Sequence, residues 1–246
     1  MTPPPLPPRP LAIFLDLDGT LLEQRDDPAE AQADAALAEL LDRLEEAADG
    51  ALALVSGRTV ASIDRLFAPR RFAAAGQHGV ERRDAAGILH RHGAPEERLA
   101  ALRRRAEAFI ARQPALLLED KGASLALHYR RAPHLEPDVR ALCAALVEEG
   151  GGVFALQAGK HVYEIKPAGR DKGAAITEFM TERTFLGRLP LFVGDDLSDE
   201  FGFAAVNRLG GIAVKVGPGE SIAPWRLPDV RAVRGWLAEY AVQPVT

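Results

Sequence analysis

One cysteine in 246 residues excludes two kinds of site. A single thiol, Cys143, builds neither a disulfide framework nor a thiolate metal cage. With Ala141, Leu142, Ala144 and Leu146 around it, it reads as a small buried hydrophobe. No apolar run reaches the length needed to span a bilayer, so no membrane partner is expected. Basic residues are not in excess: 30 Lys and Arg stand against 35 Asp and Glu, for a net charge of −5. That balance gives no electrostatic footprint for nucleic acid. The run Arg103-Arg104-Arg105 sits in a helical pattern near Glu97 and Glu107 and reads as a solvated face. Nor is there a GxxxxGK[ST] motif: Gly159-Lys160 lacks the spaced first glycine and the hydroxyl residue, which argues against a nucleotide-hydrolysing P-loop. The opening MTPPPLPPRP is too proline-rich for a signal-peptide apolar region, and residues 1–10 read as a disordered tail. A cytoplasmic, reduced setting and a monomer or weak oligomer are the resulting expectations.

What the chain does hold is a repeated alternation of short apolar runs and helical patterns. Leu11 to Leu17, Ala51 to Val55 and Phe72 to Ala75 read as buried strands, with helices predicted over 28–48 and 59–67. Gly79 to Arg83 and Gly87 to Arg91 resemble a hairpin. This is the order of a parallel α/β sheet. The pattern then changes to helix-strand-strand twice over: a helix at 95–113, strands at 116–119 and 124–130, a helix at 137–149, and strands at 153–157 and 161–166. That order predicts an antiparallel sheet with two helices on one face. After Pro167 the first pattern returns, with helices at 171–183, 199–207 and 230–240 and strands at 189–193 and 211–214. The predicted architecture is therefore an α/β core with a parallel sheet, residues 11–93 and 168–246, interrupted by an inserted α+β domain, residues 94–167.

Chemistry concentrates where apolar strands end. Asp16-Leu17-Asp18-Gly19-Thr20 closes the first strand, and the carboxyl ends of strands are where open α/β sheets bind ligands. Two residues apart, Asp16 and Asp18 share one face of a regular strand, and Gly19 lets the chain turn away after them. One carboxylate can attack phosphorus and the other can protonate a leaving oxygen. Gly194-Asp195-Asp196-Leu197-Ser198-Asp199-Glu200 follows a second apolar strand, LPLFV. A few carboxylates suffice for Mg²⁺, which takes hard oxygen ligands and keeps waters. Asp195 can join Asp16 on such an ion, with Asp196 or Asp199 holding its waters. A phosphate among carboxylates also needs donors and counter-charge. Ser56 offers a hydroxyl at the end of the second strand, with Arg58 expected on the substrate side, and Lys172 offers a cation at a helix start.

In that order DLDGT, Ser56-Gly57-Arg58, Asp171-Lys172-Gly173 and GDDLSDE resemble the four motifs of the haloacid dehalogenase superfamily, whose Rossmann-like core matches the predicted sheet. The resemblance implies Asp16 as a nucleophile forming an aspartyl-phosphate. It implies Asp18 as general acid and then general base, lending its backbone carbonyl to Mg²⁺. Ser56 and Lys172 are implied as phosphoryl contacts, and Asp195 as the carboxylate completing the metal site.

The insert lies between Ser56 and Lys172, the position of a cap domain, and its order resembles the αββαββ caps of the sugar-phosphate branch. Gly76-Gln77-His78-Gly79, Glu119-Asp120-Lys121-Gly122, Leu127-His128-Tyr129-Arg130, and Gly159-Lys160 with Glu164-Ile165-Lys166-Pro167 look like trehalose-6-phosphate phosphatases, over nearly the whole chain from Leu11 to Tyr240. Gln77 stands where that family usually has Glu. The resemblance implies sugar contacts from Lys121, Glu164, His78, Arg130 and Lys160, and a small-molecule sugar phosphate as substrate. Another sugar-phosphate phosphatase, of sucrose-phosphate or mannosyl-3-phosphoglycerate type, is the alternative. A phosphomutase would return phosphate to a sugar, and a non-catalytic sugar-phosphate-binding module would do no chemistry with these carboxylates.

Overall fold

The computed structural model describes residues 4, 5, 7, 10–24, 31–159 and 161–242. The chain forms two compact units, Met1–His90 with Asp171–Thr246, and Arg91–Arg170. Most of the predicted N-terminal tail lies outside the described residues; of those described, Pro4 is buried and its carbonyl accepts a hydrogen bond from the Trp236 indole at 3.1 Å.

In the larger unit, β1 (Leu11–Leu15), α1 (Ala35–Ala47), β2 (Leu52–Val55), α2 (Val60–Phe67) and β3 (Ala73–Gly76) alternate, followed by the short strands β4 (Glu81–Arg83) and β5 (Leu89–Arg91). Continuous Leu, Ile, Val and Ala suit strands covered on both faces, and β1 and β2 are buried along their whole length. The Phe14 ring is fully buried beside Phe179 and Phe185, with centroids 5.9 and 5.5 Å away. Burial of one such side chain contributes about 1.5–3 kcal/mol. Helix α1 starts later than the predicted 28. Asp34 caps it, accepting from the Leu37 amide at 2.7 Å, and a cap carboxylate spends its oxygen on the first turn's free N–H. Residues 28–30 lie outside those described.

The smaller unit holds α3 (Glu96–Ile110), β6 (Leu117–Asp120), β7 (Leu125–His128), α4 (Glu136–Glu149), β8 (Phe154–Gly159) and β9 (Val162–Pro167). Its sheet order is β6-β7-β9-β8, antiparallel throughout. One face carries Leu125, Leu127, Tyr163 and Ile165, which form a core with Leu99, Leu102 and Ala106 of α3 and Val139, Cys143 and Leu146 of α4. Period-two alternation sends Ser124, Ala126, Glu164, Lys166 and Gln157 to the other face.

The chain then returns to the larger unit with α5 (Lys172–Phe179), β10 (Leu189–Gly194), α6 (Asp199–Arg208), β11 (Ile212–Val216), β12 (Trp225–Leu227) and α7 (Val230–Ala241). The eight-stranded order is β12-β11-β10-β1-β2-β3-β4-β5, parallel from β12 through β3. Helix α1 packs with α7, and α5 with α6. Strand β12 was not expected from the sequence; its three residues lie between two prolines and offer no measurable alternation. The predicted helix at 171–183 stops at Phe179, short of its threonine-rich end. Among the described residues no helix is long and apolar enough to cross a membrane.

This topology positions the chemistry. Strand β1 is flanked by β2, reached early, and by β10, reached only after the insert. The strand order therefore reverses at β1, and the carboxyl ends of β1 and β10 stand at the point where open α/β sheets bind ligands.

Candidate active site

Asp16 follows β1 directly, and its amide donates to the Val193 carbonyl of β10 at 3.0 Å. Asp195 follows β10. The two carboxylates are thus delivered to one spot by neighbouring strands. Gly19 makes their approach feasible: it sits at φ +84°, and a Cβ there would lie 2.0 Å from an Asp195 carboxylate oxygen. An L side chain at this position would meet both strain and a clash.

Asp16, Asp195 and Asp199 each place a carboxylate oxygen within 4.8 Å of the others. Lys172, at the first position of α5, is 2% exposed and bridges this set. Its ammonium donates to Asp16 Oδ1 at 2.7 Å and to Asp199 Oδ1 at 2.6 Å. Asp171 caps the helix through the Ala174 amide at 2.7 Å, so the lysine is fixed at its base. The other Asp16 oxygen accepts from Thr20 Oγ1 at 3.1 Å. Asp199 Oδ2 accepts the amides of Asp195 and Asp196, both at 2.9 Å. Asp199, expected to hold metal-bound water, thus binds Lys172 through one oxygen and the turn at Asp195 and Asp196 through the other, within the same carboxylate cluster. Asp196 contributes its backbone to that arrangement.

Charge in this cluster is unevenly offset: three carboxylates meet one ammonium. Burial would lower the Lys172 pKa, but Asp16 and Asp199 outweigh it and hold the amine charged. Burial, with Asp199 and Asp195 beside it, pushes Asp16 upward against the pull of Lys172. Burial and then Asp199 push the Asp195 carboxyl up to about 7. Asp195 Oδ1 is moreover buried without a hydrogen-bond partner. An orphaned anionic oxygen is costly in a protein interior and fits the coordination of a hard divalent cation.

Asp18 and Arg58 meet although forty residues separate them. Arg58 Nε and Nη2 both donate to the Asp18 carboxylate at 2.6 Å, a bidentate pair. The Arg58 amide donates to Ser56 Oγ at 3.2 Å, which leaves the serine hydrogen available to an anion. Gln77 and His78 adopt left-handed backbone, φ 49° and 55°, a conformation rare for residues other than glycine. Their amides donate to Arg58 O at 2.8 Å and Ser56 O at 3.0 Å. The His78 ring packs so closely on Gly57 that a Cβ there would lie 2.8 Å from it. Gln77 is fully buried, and a neutral amide needs no counter-charge there.

The remaining expected contacts belong to the smaller unit. Lys121 Nζ and Glu164 Oε2 pair at 3.0 Å, and Ser124 Oγ donates to Glu164 Oε1 at 2.7 Å. Arg130 is half-buried just after β7. Lys160 lies outside the described residues. Thr20 and Lys215 were not singled out from the sequence. Lys215 donates to the Asp195 carbonyl, and its visible signal was a lone charge inside an otherwise apolar strand.

The family model described as trehalose-phosphatase matches residues 14–231. The trehalose-6-phosphate phosphatase of Escherichia coli K12 is 46% identical over 226 residues, covering 92% of this chain and 85% of that protein. A probable trehalose-phosphate phosphatase of Sinorhizobium fredii is 41% identical, covering 94% and 88%. Among solved structures, a trehalose-6-phosphate phosphatase related protein superposes with TM-score 0.77 at 27% identity, covering 94% and 96%. A haloacid dehalogenase-like hydrolase of B. subtilis shares the fold, with TM-score 0.65 at 14% identity, covering 93% and 99%.

Proposed function

The chain belongs to the trehalose-phosphatase family, and on that footing we propose that it hydrolyses trehalose 6-phosphate to trehalose and phosphate through an aspartyl-phosphate on Asp16. The observation that supports the mechanism is the buried Asp16 carboxylate, fixed by Lys172 and Thr20 beside Asp195. In the first step an Asp16 oxygen bonds to phosphorus as the bond from phosphorus to the sugar oxygen breaks. Asp18 gives that oxygen its proton. In the second step Asp18 takes a proton from water as the water oxygen attacks phosphorus, and Asp16 is released. Ser56 and Lys172 stabilise the spread-out phosphoryl charge; Arg58, which grips both Asp18 oxygens in the free protein, has to release one of them before Asp18 can carry the proton it gives.

We read the cation as Mg²⁺, held by the side chains of Asp16 and Asp195 and the backbone carbonyl of Asp18. Bound there, it neutralises the carboxylates so that a phosphate dianion can approach. Lys121, Glu164 and Arg130 are read as partners for the sugar hydroxyls, since ammonium, carboxylate and guanidinium together match a polyol's donors and acceptors.

Phosphate release over a panel of sugar phosphates tests the substrate. Trehalose 6-phosphate should give the highest kcat/KM, by at least about tenfold, or 1.4 kcal/mol of transition-state binding. Equal turnover of sucrose 6-phosphate or mannosyl-3-phosphoglycerate would defeat the assignment.

The metal reading carries its own pH signature. The folded, metal-free protein keeps a proton on Asp195 up to about 7, whereas an ordinary carboxyl releases it near 3.8. The folded state binds more protons across that window, so the contribution of Asp195 to stability falls as pH rises through it and is lowest above it. A bound cation displaces the proton and removes the penalty. Mg²⁺ should therefore raise the melting temperature more at pH 8 than at pH 5.5. An equal or smaller rise at pH 8, read by differential scanning calorimetry, would remove Asp195 from the metal site.

A further inference from the structure

The polar groups of Asp195 are engaged asymmetrically. Its amide donates to Asp199 Oδ2 at 2.9 Å, and its carbonyl accepts from Lys215 Nζ. The carboxylate oxygen Oδ1 is buried and unpartnered. The main chain of this one residue is clamped on both sides while its side chain is left open to a ligand. Asp199, at the start of α6, makes one half of the clamp. The other half comes from a different strand.

Lys215 belongs to β11, whose sequence Ile212–Val216 is otherwise apolar. It is 6% exposed, a costly position for an ammonium without a specific task. In the parallel ladder Gly194 aligns with Lys215, so the side chain has to reach just one residue beyond the ladder to find the Asp195 carbonyl. A second bond, to the Val216 carbonyl at 2.7 Å, fixes the ammonium in place. On the outer side β12 aligns Arg226 with Lys215, and Arg226 donates to the Gly217 and Gly219 carbonyls. The loop after β11 is thus held from its own neighbour, which leaves Lys215 for the loop after β10. A neutral apolar residue would fill the strand but donate nothing to the loop that carries the carboxylate.

We propose that Lys215 is a positioning residue that clamps the Asp195 main chain and thereby sets the affinity of the site for its cation. The proposal rests on the reading of Asp195 as a metal ligand. Outer partners that orient ligands commonly contribute ten- to a hundredfold in metal affinity.

Calorimetric titration of Mg²⁺ into the full chain, at a fixed concentration of inorganic phosphate, tests it on the native protein, Lys215→Met, Lys215→Arg and Asp195→Asn. Lys215→Met should weaken Mg²⁺ binding about tenfold, and Lys215→Arg, which keeps donor and charge, should stay within about threefold. The KM for sugar phosphate at saturating Mg²⁺ should be unchanged in both. Should Lys215→Met fail to fold, Lys215→Leu takes its place with the same expectation. A folded apolar variant with native Mg²⁺ affinity overturns the proposal even if kcat has dropped, because a purely structural lysine would give that pattern. Tighter Mg²⁺ binding overturns it too, since Lys215 would then act only as a repelling charge. Asp195→Asn separates the two layers: if it binds Mg²⁺ as the native protein does, the metal reading fails, and not the clamp alone.

Discussion

Asp16→Asn should lower kcat at least about a thousandfold while binding of trehalose 6-phosphate stays measurable, because removal of a covalent nucleophile acts on the chemical step. An amide of the same shape keeps the contact to Thr20 and can still accept from Lys172, but it cannot form an acyl phosphate. The effect on stability should run the other way. Burial and the nearby carboxylates push the Asp16 pKa upward, so its charge is held in the folded protein at a cost. Neutralising it in the metal-free protein should leave the melting temperature equal to or above that of the native chain. Lys172 keeps its second partner, Asp199, at 2.6 Å. Rapid-quench detection of phosphate and a thermal melt check both halves. A variant retaining kcat within tenfold of native would end the covalent mechanism. A variant with a markedly lower melting temperature would show that Asp16 is chiefly a structural partner of Lys172.

The legibility of these features in the sequence followed their locality. Strand β1 and the turn after it lie within ten consecutive residues, so an apolar run ending in Asp-x-Asp-Gly was enough to place both carboxylates at a sheet edge. The same holds for β10 and the acidic loop after it. Lys172 was harder. A lysine in the first turn of a helix is ordinarily solvated, and nothing in its neighbours says that it will be buried between two carboxylates, one of them 156 positions away. The sequence offered it as a cation at a helix start and the family resemblance implied a phosphoryl contact; the structure adds its burial between Asp16 and Asp199. The bidentate grip of Arg58 on Asp18 is similarly non-local: Ser56-Gly57-Arg58 reads as a turn, and only the parallel pairing of β1 with β2 brings that turn beside DLDGT. Lys215 did leave a trace, since a charge inside Ile-Ala-Val-x-Val contradicts the buried pattern around it. Its partner, a backbone carbonyl in the loop after the adjacent strand, is not encoded by any side chain and so could not be read. The later start of α1 is a case of competition between two local signals. Alanine and leucine from residue 28 onward favour helix, but Asp34 gains more as a cap than as an interior residue.

The buried cluster also predicts how stability and activity separate at Lys172. Its ammonium is 2% exposed and sits 2.7 and 2.6 Å from Asp16 and Asp199. Its pKa is raised in the folded state, so its stabilising contribution is fully present at neutral pH and is lost only as pH rises beyond the ordinary lysine range. Lys172→Met would leave two buried carboxylates without their cation. Breaking a buried pair from one side costs about 3–5 kcal/mol, and the loss should be largest at neutral to alkaline pH and shrink toward acid pH as Asp16, whose pKa burial pushes upward, takes up a proton. Turnover should fall about a hundred- to a thousandfold, the effect of removing one preorganised donor to a developing anion. The double variant Lys172→Met with Asp16→Asn distinguishes the two consequences. Half the orphaned charge is gone, so about half of the lost stability should return, while activity stays at the level of Asp16→Asn alone. Such strong non-additivity is expected of side chains in direct contact. Chemical denaturation of the four proteins of this cycle reads the coupling. If Lys172→Met alone unfolds at the native midpoint, the carboxylates have found water or another cation, and the lysine serves the phosphoryl group and not the fold. If the double variant is no more stable than Lys172→Met, the penalty resides in Asp199, whose two bonds to the Asp195 and Asp196 amides would then be what the lysine protects.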